Sequence, residues 1–399
     1  MPLRLAHRLS PAWVFSALSA TLSAGYGVLF TIVGDYRDTY GISASQIGVV
    51  IGLGFLSAFV SQILIAPAAD RGYARRLIVA GVAAHVAGLL LMGFGETLTP
   101  ILMGRLLSGI GIGTARPAIR RIVILAEPDK LGENLGRLLS ADVFGFALGP
   151  AISAVLVGPL GLAAPFVVVA VVSAACIPLA LGVEVTETAD AGHQRLALDL
   201  LRSRAVAGAV VFGAAVFLMI GAFGALWDVV HTDLETSTWM ANLGITLFAA
   251  PLVVLGPTGG RFAQRVGPYT VAALGLVIGA AFMVSYGQLP TGSWIFGFAM
   301  AHSICDSLTV SSSGVAMAMS VPEHRQAGAQ GVLGAVQALT GGITAIIVGD
   351  LYDGPGRAAA YGATGVGMVL FVVVGIVLSH GSIVAERHRH RHAPAPQVV

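Results

Sequence analysis

Two short stretches decide how this chain reads: Ala66-Pro-Ala-Ala-Asp70-Arg71-Gly-Tyr-Ala-Arg75-Arg76 and Gly260-Arg-Phe-Ala-Gln264-Arg265-Val-Gly-Pro268. Each is a brief basic break between long apolar runs. Each carries arginine at its sixth position, preceded by Asp70 in one and Gln264 in the other. A loop of one design appearing twice is the mark of a duplicated unit, and the apolar runs around it show the size of that unit.

Apolar stretches of at least about 18 residues, the length that crosses a bilayer as a helix, number twelve. They cover 12–33, 46–66, 77–95, 99–122, 137–157, 161–183, 205–227, 240–260, 269–288, 293–318, 327–349 and 358–380. The runs are continuous and not alternating, which excludes a β-barrel. The expected fold is therefore an all-α membrane protein of twelve transmembrane helices in two pseudo-symmetric six-helix halves. The halves are residues 1–183 and 205–380, joined by a charged linker at 184–204 and followed by an Arg/His-rich tail at 381–399. The run from Ala12 is too long for the core of a cleavable leader and reads as the first span.

Composition agrees. Of 399 residues, 56% are hydrophobic and 11% charged, with a mean hydropathy of +0.85, whereas soluble domains carry roughly 25% charge. Twelve crossings consume about 250 residues, leaving no room for a soluble catalytic or DNA-binding domain. With 22 basic and 20 acidic residues the net charge is +2, so nothing points to a nucleic-acid partner. Apart from Arg37, Arg105, Arg116 and Arg357, every basic residue falls on one side of the twelve-span topology. The positive-inside rule makes that side cytoplasmic and places both termini there, in a bacterial inner membrane. Cys176 and Cys305 lie far apart in apolar runs and form no disulfide framework. No phosphate loop, zinc spacing or nucleophile triad occurs. The expectation is a chain without cofactor or metal, and not an enzyme.

Intramembrane charges are the functional candidates, because each costs ~2.5–3.5 kcal/mol on insertion scales unless paired or used. Asp306 lies about 13 residues into the tenth span, ~20 Å deep, with His302 one turn earlier on the same face. Arg105 occupies the fourth span, the matching place in the first repeat. Arg116 and Asp142 form a second pair by depth, read either as a structural bridge or as an ion pair that breaks on protonation. Asp35 and Trp227 stand at the opposite mouth, the first a reserve proton site, the second a cavity or interface residue. Gly145, Gly149 and Pro150 allow close helix approach and a bend.

The Asp70, Arg71, Arg75 and Arg76 loop resembles the signature second loop of the major facilitator superfamily, although Ala66 stands where that loop has glycine. Arg105 with Gly109, Gly111 and Gly113 is similar to the fourth-helix motif of its proton-coupled members. Gly145-Phe-Ala-Leu-Gly149-Pro150 resembles the fifth-helix motif of its exporting antiporters. The resemblance covers Ala12 to about Ser379. It implies a proton-coupled antiporter exporting small lipophilic or drug-like compounds by alternating access, complete as a monomer, with protons and membrane lipids as its other partners. It further implies that spans one, four, seven and ten line a central cavity faced by Arg105 and Asp306, and that the Asp70 loop latches the halves together. An uptake symporter for a sugar or organic acid and a non-transporting receptor are the alternatives.

Overall fold

In a computed structural model of the chain, residues 10–42, 44–183 and 196–392 are described. Most of the linker (184–195), the end of the tail (393–399) and the Arg4 and Arg8 segment lie outside them. Twelve helices cross the bundle: α1 (Pro11–Tyr40), α2 (Ala44–Leu64), α3 (Ala74–Phe94), α4 (Leu98–Ala126), α5 (Leu131–Leu160) and α6 (Ala163–Leu181) in the first half. The second half holds α7 (Arg204–Asp233), α8 (Thr238–Val266), α9 (Pro268–Gln288), α10, α11 (Gln326–Asp353) and α12 (Arg357–His392). Among the described residues, eleven stretches are long and apolar enough to span a membrane. The exception is α10, which breaks at Val310 and Ser311 into Gly292–Thr309 and Ser312–Ser320. His302, Asp306 and the Ser311–Ser313 run lower its hydropathy, and just before the break the Ser307 and Thr309 hydroxyls donate to the Ile304 and Cys305 carbonyls.

Hydropathy located every span and misjudged several ends. The first helix continues past Val33 to Tyr40, α5 begins at Leu131 and not at 137, and α12 runs through the expected tail to His392. A helix continues wherever its backbone bonds are satisfied, so polar end turns are invisible to an apolar window. Glu386 explains the last case. This buried residue accepts the Tyr269 and Thr270 backbone N–H groups at 3.1 Å each and the Thr270 hydroxyl at 2.8 Å, capping α9 from α12.

The two halves repeat one packing scheme. α3 lies on α4, α2 on α4, α1 on α5 and α3 on α6; α9 lies on α10, α8 on α10, α7 on α11 and α9 on α12. Between the halves, α5 packs on α8 and α2 on α11, again a symmetric pair. Lipid offers no hydrophobic drive for joining helices, so close backbone contact must supply the association. Glycines provide it: a Cβ on Gly260 of α8 would overlap the carbonyl of Gly132 on α5, and one on Gly136 would overlap that of Gly256. Gly145 and Gly149 seat α5 against Ala20, Gly27 and Val28 of α1 in the same way.

Gly260→Val is expected to force α5 from α8 and to cost about 1–3 kcal/mol, the usual range for overpacking. Gly158→Ala, where a Cβ meets open space, should be silent. Thermal unfolding of the purified proteins distinguishes the two.

Candidate functional site

The end of the bundle that carries the arginine-rich loops, here the basic end, is tied shut across the halves. Helix α11 begins with backbone N–H groups that no intrahelical carbonyl can reach. Asp70, on the 3-10 turn Ala66–Arg71 of the other half, accepts those of Ala327 at 2.9 Å and Gly328 at 2.8 Å. The Nε of Arg121 donates to the same carboxylate at 3.0 Å, and both side chains are buried. A carboxylate at a helix N-terminus is favoured by the local dipole as well as by its hydrogen bonds. Of the other loop residues, Arg75 donates to the Val183 carbonyl at the end of α6, and Arg76 lies over the Tyr73 ring, 5.6 Å from its centroid. Arg71 closes the same turn.

The symmetric position is occupied by a neutral version. Gln264 accepts the Gly132 N–H at the start of α5 at 2.7 Å, while Glu133 bridges Arg261 at 2.7 Å and Arg137 at 2.8 Å. Nearby, Arg325 donates twice to Asp199, at 3.1 and 2.6 Å, and holds that carboxyl below its usual range. This contribution is present at neutral pH and fades as pH falls through the lowered value.

Deeper in the first half, Asp142 lies about 11 residues into α5 instead of five, a consequence of the earlier helix start. It accepts the hydroxyls of Ser19 and of Ser23, the latter at 3.1 Å, and stands 3.7 Å from an Arg116 nitrogen that also donates to Ser23 at 2.6 Å. Their side chains remain 33% and 17% exposed. Lipid is a poor environment for ions at this depth, and the two serine hydroxyls and the ion pair offset that cost.

Arg105 is fully buried about 10 Å from the opposite end of α4. Its guanidinium lies over the Tyr26 ring, 4.2 Å from the centroid, and it packs where Gly54 leaves room on α2. Asp306 is not opposite Arg105. It sits 3.4 Å from His302 inside the second half, where His302 also bonds to the Tyr286 hydroxyl at 2.9 Å and stacks on Phe282. The expected shared cavity between Arg105 and Asp306 fails because α10 turns this face toward α9. Trp227 is neither at the lipid boundary nor on an open wall: it is buried, and its indole donates to the Ala241 carbonyl at 2.9 Å. Asp35 is half-buried within the last turns of α1, and no salt bridge to it is found among the described residues. Pro150, inside α5, has no N–H to donate to the Phe146 carbonyl, and that carbonyl faces Gly27. No group of three or more potential metal ligands occurs among the described residues.

Sequence reasoning missed Arg121, counted only as topogenic charge, and missed Ser19 and Ser23, whose four-residue spacing on α1 was the available signal. Asp70→Asn is expected to leave the Arg121 cation buried and poorly paired, a loss of about 3–5 kcal/mol for this contact. Distances between spin labels at Tyr73 and Glu323 should lengthen as the basic end opens; an unchanged distribution would show that the contact holds nothing shut.

The sequence profile of the Major Facilitator Superfamily matches residues 15–240 and 206–397. An uncharacterized MFS-type transporter of Methanocaldococcus jannaschii, MJ1560, is 30% identical over 147 residues, which are 37% of this chain and 38% of that protein. The chain thus aligns with well under half the length of that curated relative. Among solved structures, the human organic anion transporter MFSD10 superimposes with a TM-score of 0.74 at 18% identity, covering 92% of this chain and 99% of that one. The Escherichia coli fucose:proton symporter FucP gives 0.76 at 14% identity, covering 92% and 98%. Identities this low speak for the fold alone. With both six-helix halves inside the matching profile, the chain belongs to the Major Facilitator Superfamily of membrane transporters.

Proposed function

We propose that the protein is a secondary active transporter, a proton-coupled antiporter that exports small lipophilic or drug-like compounds across a bacterial inner membrane, with both termini cytoplasmic. The observation that carries the reading is the Arg116–Asp142 pair, a carboxylate held by two serines and a cation. Such a carboxylate gains a proton when its cation is drawn away and releases it when the pair re-forms, while the Asp70 contact opens and closes the basic end. Arginine stays charged throughout, so Asp142 is the carrier in this scheme. Asp306 with His302 is the second candidate and Asp35 the third. The α1–α5 seam at Gly145, Gly149 and Pro150 supports export over uptake, by its resemblance to the fifth-helix motif of antiporters. One proton crossing 100 mV releases ~2.3 kcal/mol, enough for about a 40-fold gradient.

Proteoliposomes with an imposed pH gradient test the scheme on a panel of lipophilic cations, neutral amides and aromatic acids. Wild type is expected to move substrate against the proton flux, and Asp142→Asn to lose gradient-driven movement while retaining exchange at equal pH. Loss in Asp306→Asn alone would shift the carrier to the second half, and survival in both variants would remove the coupling scheme. Movement in the same direction as the proton would identify a symporter.

A further inference from the structure

Two arginines of α4 stand against a carboxylate, and Arg105 does not. Arg121 is taken by Asp70 at the basic end, and Arg116 by Asp142. Arg105 has neither: its Nε and both terminal nitrogens are buried and make no well-formed hydrogen bond among the described residues. A buried guanidinium without an acceptor forfeits several charge-assisted bonds. The Tyr26 face offsets part of that loss, since a desolvated cation–π contact is worth ~2 kcal/mol, but it supplies no negative charge.

Helix geometry sets Arg105 and Arg116 on one side of α4. Arg105 and Arg116 are eleven residues apart on α4, about three full turns, and so share one face. From opposite directions both reach the same turn of α1, Arg105 over Tyr26 and Arg116 at Ser23. Asp142 is the carboxylate at this junction, and it sits on the Arg116 side. His85, which also faces this region from α3, bonds to Ser108 at 2.9 Å and brings no negative charge. Arg120, one turn beyond Arg116 on α4, also lies within charge range of Asp142, so positive charges outnumber the one carboxylate at this junction. Around Tyr26, the rings of Phe55 and Phe146 stand 5.5 and 6.4 Å away, both partly exposed.

We propose that Arg105 is the anion-binding group of the substrate site, and that the transported compound is an organic acid with one carboxylate or sulfonate on an aromatic or otherwise apolar body. The acid head takes the place of the Tyr26 ring at the guanidinium, and the body packs against Tyr26, Phe55 and Phe146. This inference rests on the transporter reading above and narrows its substrate class. Nothing in it requires Arg105 to exchange a proton.

The test uses the full chain in nanodiscs and three probes of one shape: 2-naphthoate, its neutral amide, and the 2-naphthylmethylammonium cation. The acid is expected to bind about tenfold or more tightly than the amide, as a charge-assisted bond implies. Arg105→Gln should erase that preference, and Arg105→Lys should keep part of it. Gly54→Ala, which crowds the guanidinium without removing it, should weaken the acid selectively; it serves if Arg105→Gln does not fold. Equal binding of the three probes, no binding of the acid, or a preference unchanged in both Arg105→Gln and Gly54→Ala would overturn the proposal. Flux in proteoliposomes separates the two readings. Movement of the amide or the cation but not the acid would leave a transporter without this subsite. Arg105-dependent binding of the acid with no flux of any probe would leave the subsite without the exporter.

Discussion

A single carboxylate, Asp70, holds the basic end of the molecule together. It caps the first turn of a helix belonging to the other half and neutralises Arg121 in the same contact. The strength of the contact comes from two ion-like elements, a helix N-terminus and a guanidinium, sharing one anion in a dry environment. All of its partners are polar groups that water can also satisfy. A hydrophobic seam of equal strength would offer no such exchange in lipid, where apolar surface gains nothing from a partner helix.

The symmetric contact at Gln264 has no charge of its own, and the glycines beneath it bring α5 and α8 into backbone contact. The two seams are thus unequal. One is a charge-assisted cap that can be released. The other is close packing supported by the Glu133 bridges. A bundle that rocks about a fixed site needs one side to separate while the neighbouring surfaces slide, and this inequality supplies both behaviours within one duplicated frame.

The polar groups in the interior divide by half. The second half encloses Asp306 with His302 and Tyr286 among aromatic rings. The first half sets two arginines and one aspartate around a single turn of α1. The interior arginines therefore gather on the α1, α4 and α5 side, and the second half has no counterpart to them among the described residues.

Much of this was legible in the residues. Continuous apolar runs dictated spans, the repeated basic breaks marked the duplication, and depth alone paired Arg116 with Asp142. Helix ends were misjudged because Leu131–Arg137 and Glu386 are helical through capping bonds that hydropathy does not register. Depth also failed for Asp306 and Arg105. Two residues at similar height on separate helices meet only if both helices turn the right face inward, and that rotation is set by which glycines and rings pack beneath them. Trp227 and Arg121 make the same point: an interface-loving side chain and a topogenic charge were each buried by a neighbour contributed from elsewhere in the chain. The amino-acid sequence by itself determined the number of spans and the duplication, because those follow from local transfer energies summed along one chain. Only the tertiary structure decided which charges meet, because that depends on the rotation of each helix about its own axis, and it is packing between distant segments that sets this rotation.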